Sequence, residues 1–93
     1  MTQAMNQFVD EKGWYDPESP RPQTTRNLAI SLAIEAAEVL ELFQWQDDDP
    51  AAIDLAEELA DVALYLLQLA SVSGIDLEQA ILDKLEINRN RDW

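Results

Sequence analysis

The sequence predicts an all-α fold, an antiparallel helical bundle of about four helices completed by oligomerisation. Three observations carry this. Leu, Ile, Val and Ala are abundant while Gly occurs only twice in 93 residues, a balance that suits helices better than turn-rich sheets. Two long stretches, 24–45 and 50–73, are apolar around almost the whole helical circumference, as expected of helices buried on several sides. Residues that start and stop helices fall between the stretches. A chain of this length makes one domain with a modest core. Residues 1–93 therefore read as a single helical domain, with an N-terminal helix and Pro-rich arm over 1–23 and core helices over 24–91.

A short first helix is expected from Thr2 to about Lys12, with Met5, Phe8 and Val9 on one side and Gly13 as its stop. Pro17, Pro20 and Pro22 forbid a regular helix between Gly13 and Gln23. Trp14 and Tyr15 in that arm either anchor it to a partner surface or cover the edge of the core. Thr24 or Thr25 supplies a capping oxygen for the second helix, which runs to about Trp45. Asp49 is a good N-cap for the third helix and Pro50 suits its first position. That helix reaches about Ser73, with Gly74 as its stop. Asp76 caps a fourth helix to about Asn90, and Gln79 three residues on completes a capping-box-like start. Ile81, Leu82, Leu85 and Ile87 are expected on its core side. The connections are short, so consecutive helices should be antiparallel neighbours. The second and third helices carry more apolar surface than one small chain can hide. A homodimer or higher oligomer built on them is expected.

Charge and chemistry narrow the function. The chain has 19 Asp and Glu against 6 Lys and Arg, a net charge of −13. No basic stripe exists to meet a phosphate backbone, so nucleic acid polymers and anionic membranes are disfavoured as partners. Cys and His are both absent, which removes disulfides, thiolate zinc sites and imidazole-ligated metals. Oxygen ligands remain, and these select hard cations such as Mg²⁺, Mn²⁺ or Ca²⁺. No signal-peptide pattern and no membrane-length apolar run are seen, so a soluble, cytoplasmic protein is expected.

The two apolar helices each carry a pair of carboxylates three residues apart, Glu35 with Glu38 and Glu58 with Asp61. That spacing puts both members of a pair on nearly one side of a helix. Asn27, Ser31, Glu38, Leu42 and Trp45 fall within about 80° of Glu35 on a helical projection. Asp54, Asp61, Tyr65 and Gln68 group with Glu58 in the same way. From Asn27 to Asp83 there are 13 acidic residues and no Lys or Arg. An acidic stripe turned to water normally mixes signs and places Lys four residues from Glu. Like charges at 4 Å repel by roughly 4 kcal/mol at an effective dielectric near 20. Four converging carboxylates therefore take up protons, swing into water or hold a cation. The pattern favours the cation, Mg²⁺ first and Mn²⁺ as a substitute, which would serve phosphoryl chemistry. Glu41 and Glu57 lie just off the stripes.

The basic residues flank the acidic segment. Lys84 and Asn88 share a face of the last helix, with Arg91 three residues further on. They either grip phosphates or compensate the helix dipole. Trp45 ends the first acidic stripe, where it either stacks on a nucleobase or packs in an interface.

With Glu35-x-x-Glu38, 19 intervening residues and Glu58-x-x-Asp61, the chain resembles the MazG-like family of all-α nucleoside triphosphate pyrophosphohydrolases. Arg26-Asn27-Leu28, the Glu41 to Trp45 segment, Val62 and Tyr65 after the second pair, and Lys84-x-x-x-Asn88 share the family's pattern. The likeness spans Gln23 to the C-terminus and points to the short dCTP pyrophosphatase-like branch. Gln23 stands where the dCTP-preferring relatives place a His. The resemblance implies Mg²⁺ on Glu35, Glu38, Glu58 and Asp61, acting as the catalytic set. It implies nucleotide contacts near Asn27, Trp45 and Tyr65, with Lys84, Asn88 and Arg91 as phosphate-side candidates. It implies assembly as a dimer or tetramer and hydrolysis of (d)NTPs to (d)NMP and pyrophosphate, in nucleotide-pool sanitation. The alternatives are a phosphoribosyl-ATP pyrophosphohydrolase-like enzyme and a non-catalytic acidic helical interaction protein.

Overall fold

The structure, a computed structural model, describes residues 1–13, 23–44 and 50–91. Trp14, Tyr15, Trp45 and Asp49 lie outside the described residues. Among the described residues there are four helices and no strands: α1 (Thr2–Glu11), α2 (Thr25–Gln44), α3 (Ala52–Val72) and α4 (Leu77–Arg89).

Local chemistry explains most of the boundaries. Thr24 is the α2 cap: its Oγ1 accepts from the Asn27 N–H at 3.1 Å and its carbonyl from the Leu28 N–H at 2.9 Å. α1 stops at Gly13, whose φ of +71° lies in the left-handed region and whose N–H donates to Asp10 O. α3 ends in a two-bond Schellman closure. The Ile75 N–H reaches Ala70 O at 2.9 Å and the Gly74 N–H reaches Ser71 O at 3.2 Å, with Gly74 at φ +68°.

Two starts differ from expectation. Pro50 does not open α3. Ala51 holds an extended backbone at φ −59°, ψ 138°, and its carbonyl takes the first helical N–H, that of Leu55. The helix therefore begins one residue beyond the proline's neighbour. At α4, Asp76 Oδ1 accepts from the Gln79 N–H at 3.1 Å as expected. The Gln79 side chain does not complete the box; it turns down the helix and donates to Asp83 Oδ1 at 2.8 Å.

α2 and α3 form the main packed pair. Their partners run in opposite senses along the two sequences: Gln23 meets Gln68, whereas Glu35, further along, sits with Asp61 and Glu58. That order makes the pair antiparallel. Leu28 is buried at its base, 1 % exposed. α1 lies across α3 through buried Met5 and Val9. A hydrogen bond from Asn6 Nδ2 to Ser71 Oγ at 2.9 Å pins it there. Phe8 shares that side with Met5 and Val9 as expected but is half exposed, with Lys12 Nζ 5.8 Å from its ring centre.

α4 departs from the antiparallel expectation. The Gly74 turn and the extended Asp76 send it off at a bend of 104° from α3. It makes no substantial packing contact with the other helices. Ile81, Leu82, Leu85 and Ile87, expected on a core side, are each about half exposed. Ile30, Ile34, Leu40, Leu59, Leu64 and Leu66 are likewise uncovered along α2 and α3. Among the described residues no single helix is long and apolar enough to cross a membrane.

The turn between α3 and α4 is testable. Gly74→Ala should cost about 1–2 kcal/mol, because a Cβ is disfavoured at positive φ even in open space. Asp76→Ala should cost about 1 kcal/mol by loss of the cap. Urea unfolding followed by helicity checks both, and unchanged midpoints would refute these roles.

Candidate metal centre

α2 presents Glu35 and α3 presents Glu58 and Asp61 toward one another. One carboxylate oxygen from each lies within 4.8 Å of the other two. Glu35 and Glu58 are half-buried and Asp61 is exposed, so the cluster is open on one side. No Lys or Arg among the described residues forms an ion pair with any of the three. Desolvation, then the neighbouring charges of Asp61 and Glu58, push the Glu35 carboxyl above the usual carboxylate range.

Glu38 stands outside this trio. Its carboxyl is hydrogen-bonded with Glu41, and that bond leads the effects that raise its pKa. The Glu41 charge and partial desolvation follow, with Glu58 and Glu35 adding smaller repulsions.

The donor set suits a hard divalent ion: three carboxylate oxygens from two helices, no nitrogen or sulfur, and an open side for water or phosphate oxygens. Among the described residues this is the acidic group that can hold a metal. Glu35, Glu58 and Asp61 would be its protein ligands, with Glu38 one turn from Glu35.

A cavity of about 540 Å³ opens beside the cluster. Glu35, Asp61 and Tyr65 border it, Met5, Phe8 and Val9 from α1 and Leu64 from α3 give it apolar walls, and Gln68 also lines it. Its size and apolar character fall in the range of small-molecule sites, roughly 300–1,000 Å³. Asn27, whose N–H is capped by Thr24 in the first turn of α2, does not line it. Lys84 and Asn88 on α4, and Arg91 two residues past its end, do not line it within one chain either. Trp45 lies outside the described residues. Sequence reasoning assigned no site role to α1 or Gln68. Gln68 had a signal: it continues the Asp61, Tyr65 stripe in an otherwise apolar turn. The walls from α1 had only the Met5, Val9 spacing.

An all-helical chain that gathers three carboxylates from two antiparallel helices beside an apolar cavity has the oxygen-donor set of a helical domain that could bind a cation. The model of the MazG-like family matches residues 30–92, and the chain belongs to that family. Bovine dCTP pyrophosphatase 1 is 38 % identical over 94 residues, covering 91 % of this chain and 53 % of the relative. A dATP/dGTP diphosphohydrolase of Salmonella phage PMBT28 is 36 % identical over 81 residues, 87 % of this chain and 24 % of the relative. The chain thus spans about half the length, or less, of these curated relatives. The crystal structure of a pyrophosphatase from Archaeoglobus fulgidus DSM 4304 superposes with a TM-score of 0.73 at 34 % identity, covering 92 % of this chain and 82 % of that one.

The raised carboxyls fix the sign of a pH effect. Glu35 and Glu38 bind protons more tightly folded than unfolded. Their contribution to metal-free stability is therefore full below the unfolded carboxylate pKa and lost as pH rises through the raised folded values. In EDTA the Tm should fall as pH rises above the ordinary carboxylate range, and Glu35→Gln should flatten that fall and raise the Tm at neutral pH. Adding MgCl₂ should stabilise the wild type by about 2.7 kcal/mol at a hundredfold excess over Kd, seen as a Tm that climbs with the logarithm of the free ion concentration. Thermal scans in which Glu35→Gln keeps the full Mg²⁺ shift would remove Glu35 from the centre.

Proposed function

We propose that this chain is a Mg²⁺-dependent nucleoside triphosphate pyrophosphohydrolase that cleaves (d)NTPs to (d)NMP and pyrophosphate, in nucleotide-pool sanitation. The observation that carries this reading is the trio of carboxylates within 4.8 Å, without a cationic partner, at the mouth of an apolar cavity. The family membership and the relatives, a dCTP pyrophosphatase and a dATP/dGTP diphosphohydrolase, support the substrate class.

Glu35, Glu58 and Asp61 hold the ion, and Glu38 joins them or takes a proton from the attacking water. Mg²⁺, when bound, polarises phosphoryl oxygens and lowers the pKa of water, with Mn²⁺ able to substitute. The apolar walls exclude water around the base. Tyr65, next to Asp61 along the stripe, meets the sugar or base, with Asn27 and Trp45 as further nucleotide contacts. Lys84, Asn88 and Arg91 bind phosphates from a second subunit.

The oligomer rests on uncovered surface. Ile34 on α2, Leu59 on α3 and Leu82 and Leu85 on α4 are each about half exposed, and Leu40 on α2 more so, a run of large apolar side chains that a lone small domain would leave in water. A dimer or tetramer that covers α2, α3 and α4 would bring the α4 cations beside a neighbour's carboxylates.

Pyrophosphate release from a panel of dNTPs, with MgCl₂ and with EDTA, tests the activity. Asp61→Asn should lower kcat/KM by about 100-fold or more, the scale expected when metal-held charge stabilisation is lost, while leaving helicity unchanged. Wild-type protein that hydrolyses no triphosphate, or does so equally in EDTA, would overturn the reading. Light scattering after gel filtration should give a dimer or tetramer mass, and Leu85→Glu should shift it toward the monomer and reduce turnover.

A further inference from the structure

We propose that Gln68, held in place by Gln23, reads the hydrogen-bonding edge of the nucleobase in the cavity between α1 and α3. The inference rests on the nucleotide reading above and goes beyond it by assigning where and how the base is recognised.

Gln68 is the one buried polar side chain among the described residues, 4 % exposed. An amide placed in an apolar wall costs free energy unless its donors and acceptors are met. Gln23, at the foot of α2, meets one of them by accepting from Gln68 Nε2. A primary amide carries two donor hydrogens and an acceptor oxygen with two lone pairs, so this bond engages a fraction of its capacity and fixes the direction of the group. Gln68 lines the cavity that Glu35 and Asp61 also border.

The order along α3 gives the site a direction. Asp61, Tyr65 and Gln68 follow one another on a single stripe of the helix. At about 1.5 Å per residue the stripe runs on the order of 10 Å from carboxylate to amide. A nucleotide fits that sequence of chemistries: phosphate at the charged end, sugar past Tyr65, base between the apolar walls with its edge at Gln68. An amide is a natural partner for such an edge, since it pairs a donor with an acceptor as bases do. The amide therefore pairs with Gln23 across the α2–α3 contact and also borders the cavity, a wall that Leu or Met would line with no hydrogen-bonding group. Gln23 is a positioning residue that acts through Gln68.

The test compares ordinary dNTPs with a base-free 2-deoxyribose 5′-triphosphate. In the wild type, kcat/KM for the dNTPs should exceed that for the base-free compound. Gln68→Leu should shrink that ratio about tenfold or more, the worth of one well-placed hydrogen-bonding pair. Gln23→Ala, a change at the less buried end of the pair, should shrink it in the same direction by a smaller factor. If Gln68→Leu fails to fold, Gln23→Ala decides, and an unchanged ratio overturns the proposal. Equal losses on base-containing and base-free substrates would show a structural glutamine and overturn it while leaving the hydrolase reading intact. A wild type inactive on every triphosphate would overturn both.

Discussion

Repulsion among Glu35, Glu58 and Asp61 is the constraint from which the rest of this structure follows. The three are not a surface accident. They are forced together because α2 and α3 pack lengthwise and antiparallel, and that packing is driven by the apolar residues around them. The apolar effect therefore works against the electrostatic one at a single place. The carboxyls of Glu35 and Glu38 are both pushed above the usual range, Glu35 chiefly by desolvation and Glu38 chiefly through Glu41. Protons and a divalent cation are competing ways to discharge such repulsion. Metal affinity in such a site is then tied to pH, because a cation must displace protons as well as water.

A second tension lies in the helices themselves. α2 and α3 bury one face on each other and a little of α3 under α1, yet large side chains remain uncovered along both. α4 adds a helix with half-exposed Ile and Leu and scarcely any packing of its own. A helix of 13 residues is marginal alone in water. The oligomer proposed above resolves both facts with one interface.

The helices were legible in the sequence because their signals are local. Thr24, Gly13, Gly74 and Asp76 act within four residues of themselves, and each ends or begins a helix where expected. The misreadings were equally local. Pro50 permits a helix start without requiring one, and Gln79 had a competing acceptor in Asp83, one turn on. The two acidic pairs were visible for a different reason: carboxylates three apart in an apolar, Lys-free helix are costly, so their presence carries information. What the sequence hid was tertiary. The bend before α4 depends on how the chain leaves Gly74, and no periodicity reports that. The spacing of Met5, Phe8 and Val9 put them on one side of α1, and they do line one cavity, but nothing in that spacing said that α3 would form its other wall. That Glu38 is not among the three carboxylates that meet is likewise a matter of side-chain position, which residue spacing does not encode.

The antiparallel register ties these parts into one site. Because α2 and α3 run oppositely, the same pairing that sets Glu35 against Asp61 also sets the foot of α2 against the latter half of α3, where Gln23 reaches Gln68. The charged end and the amide end are thus fixed by one helix–helix contact. A shift of either helix by a turn would move both by about 5.4 Å, separating the carboxylates and breaking the amide pair together. α1 then closes the side between them, held by the Asn6–Ser71 bond and by buried Met5 and Val9, so the cavity wall is completed by a helix that the α2–α3 contact alone does not supply.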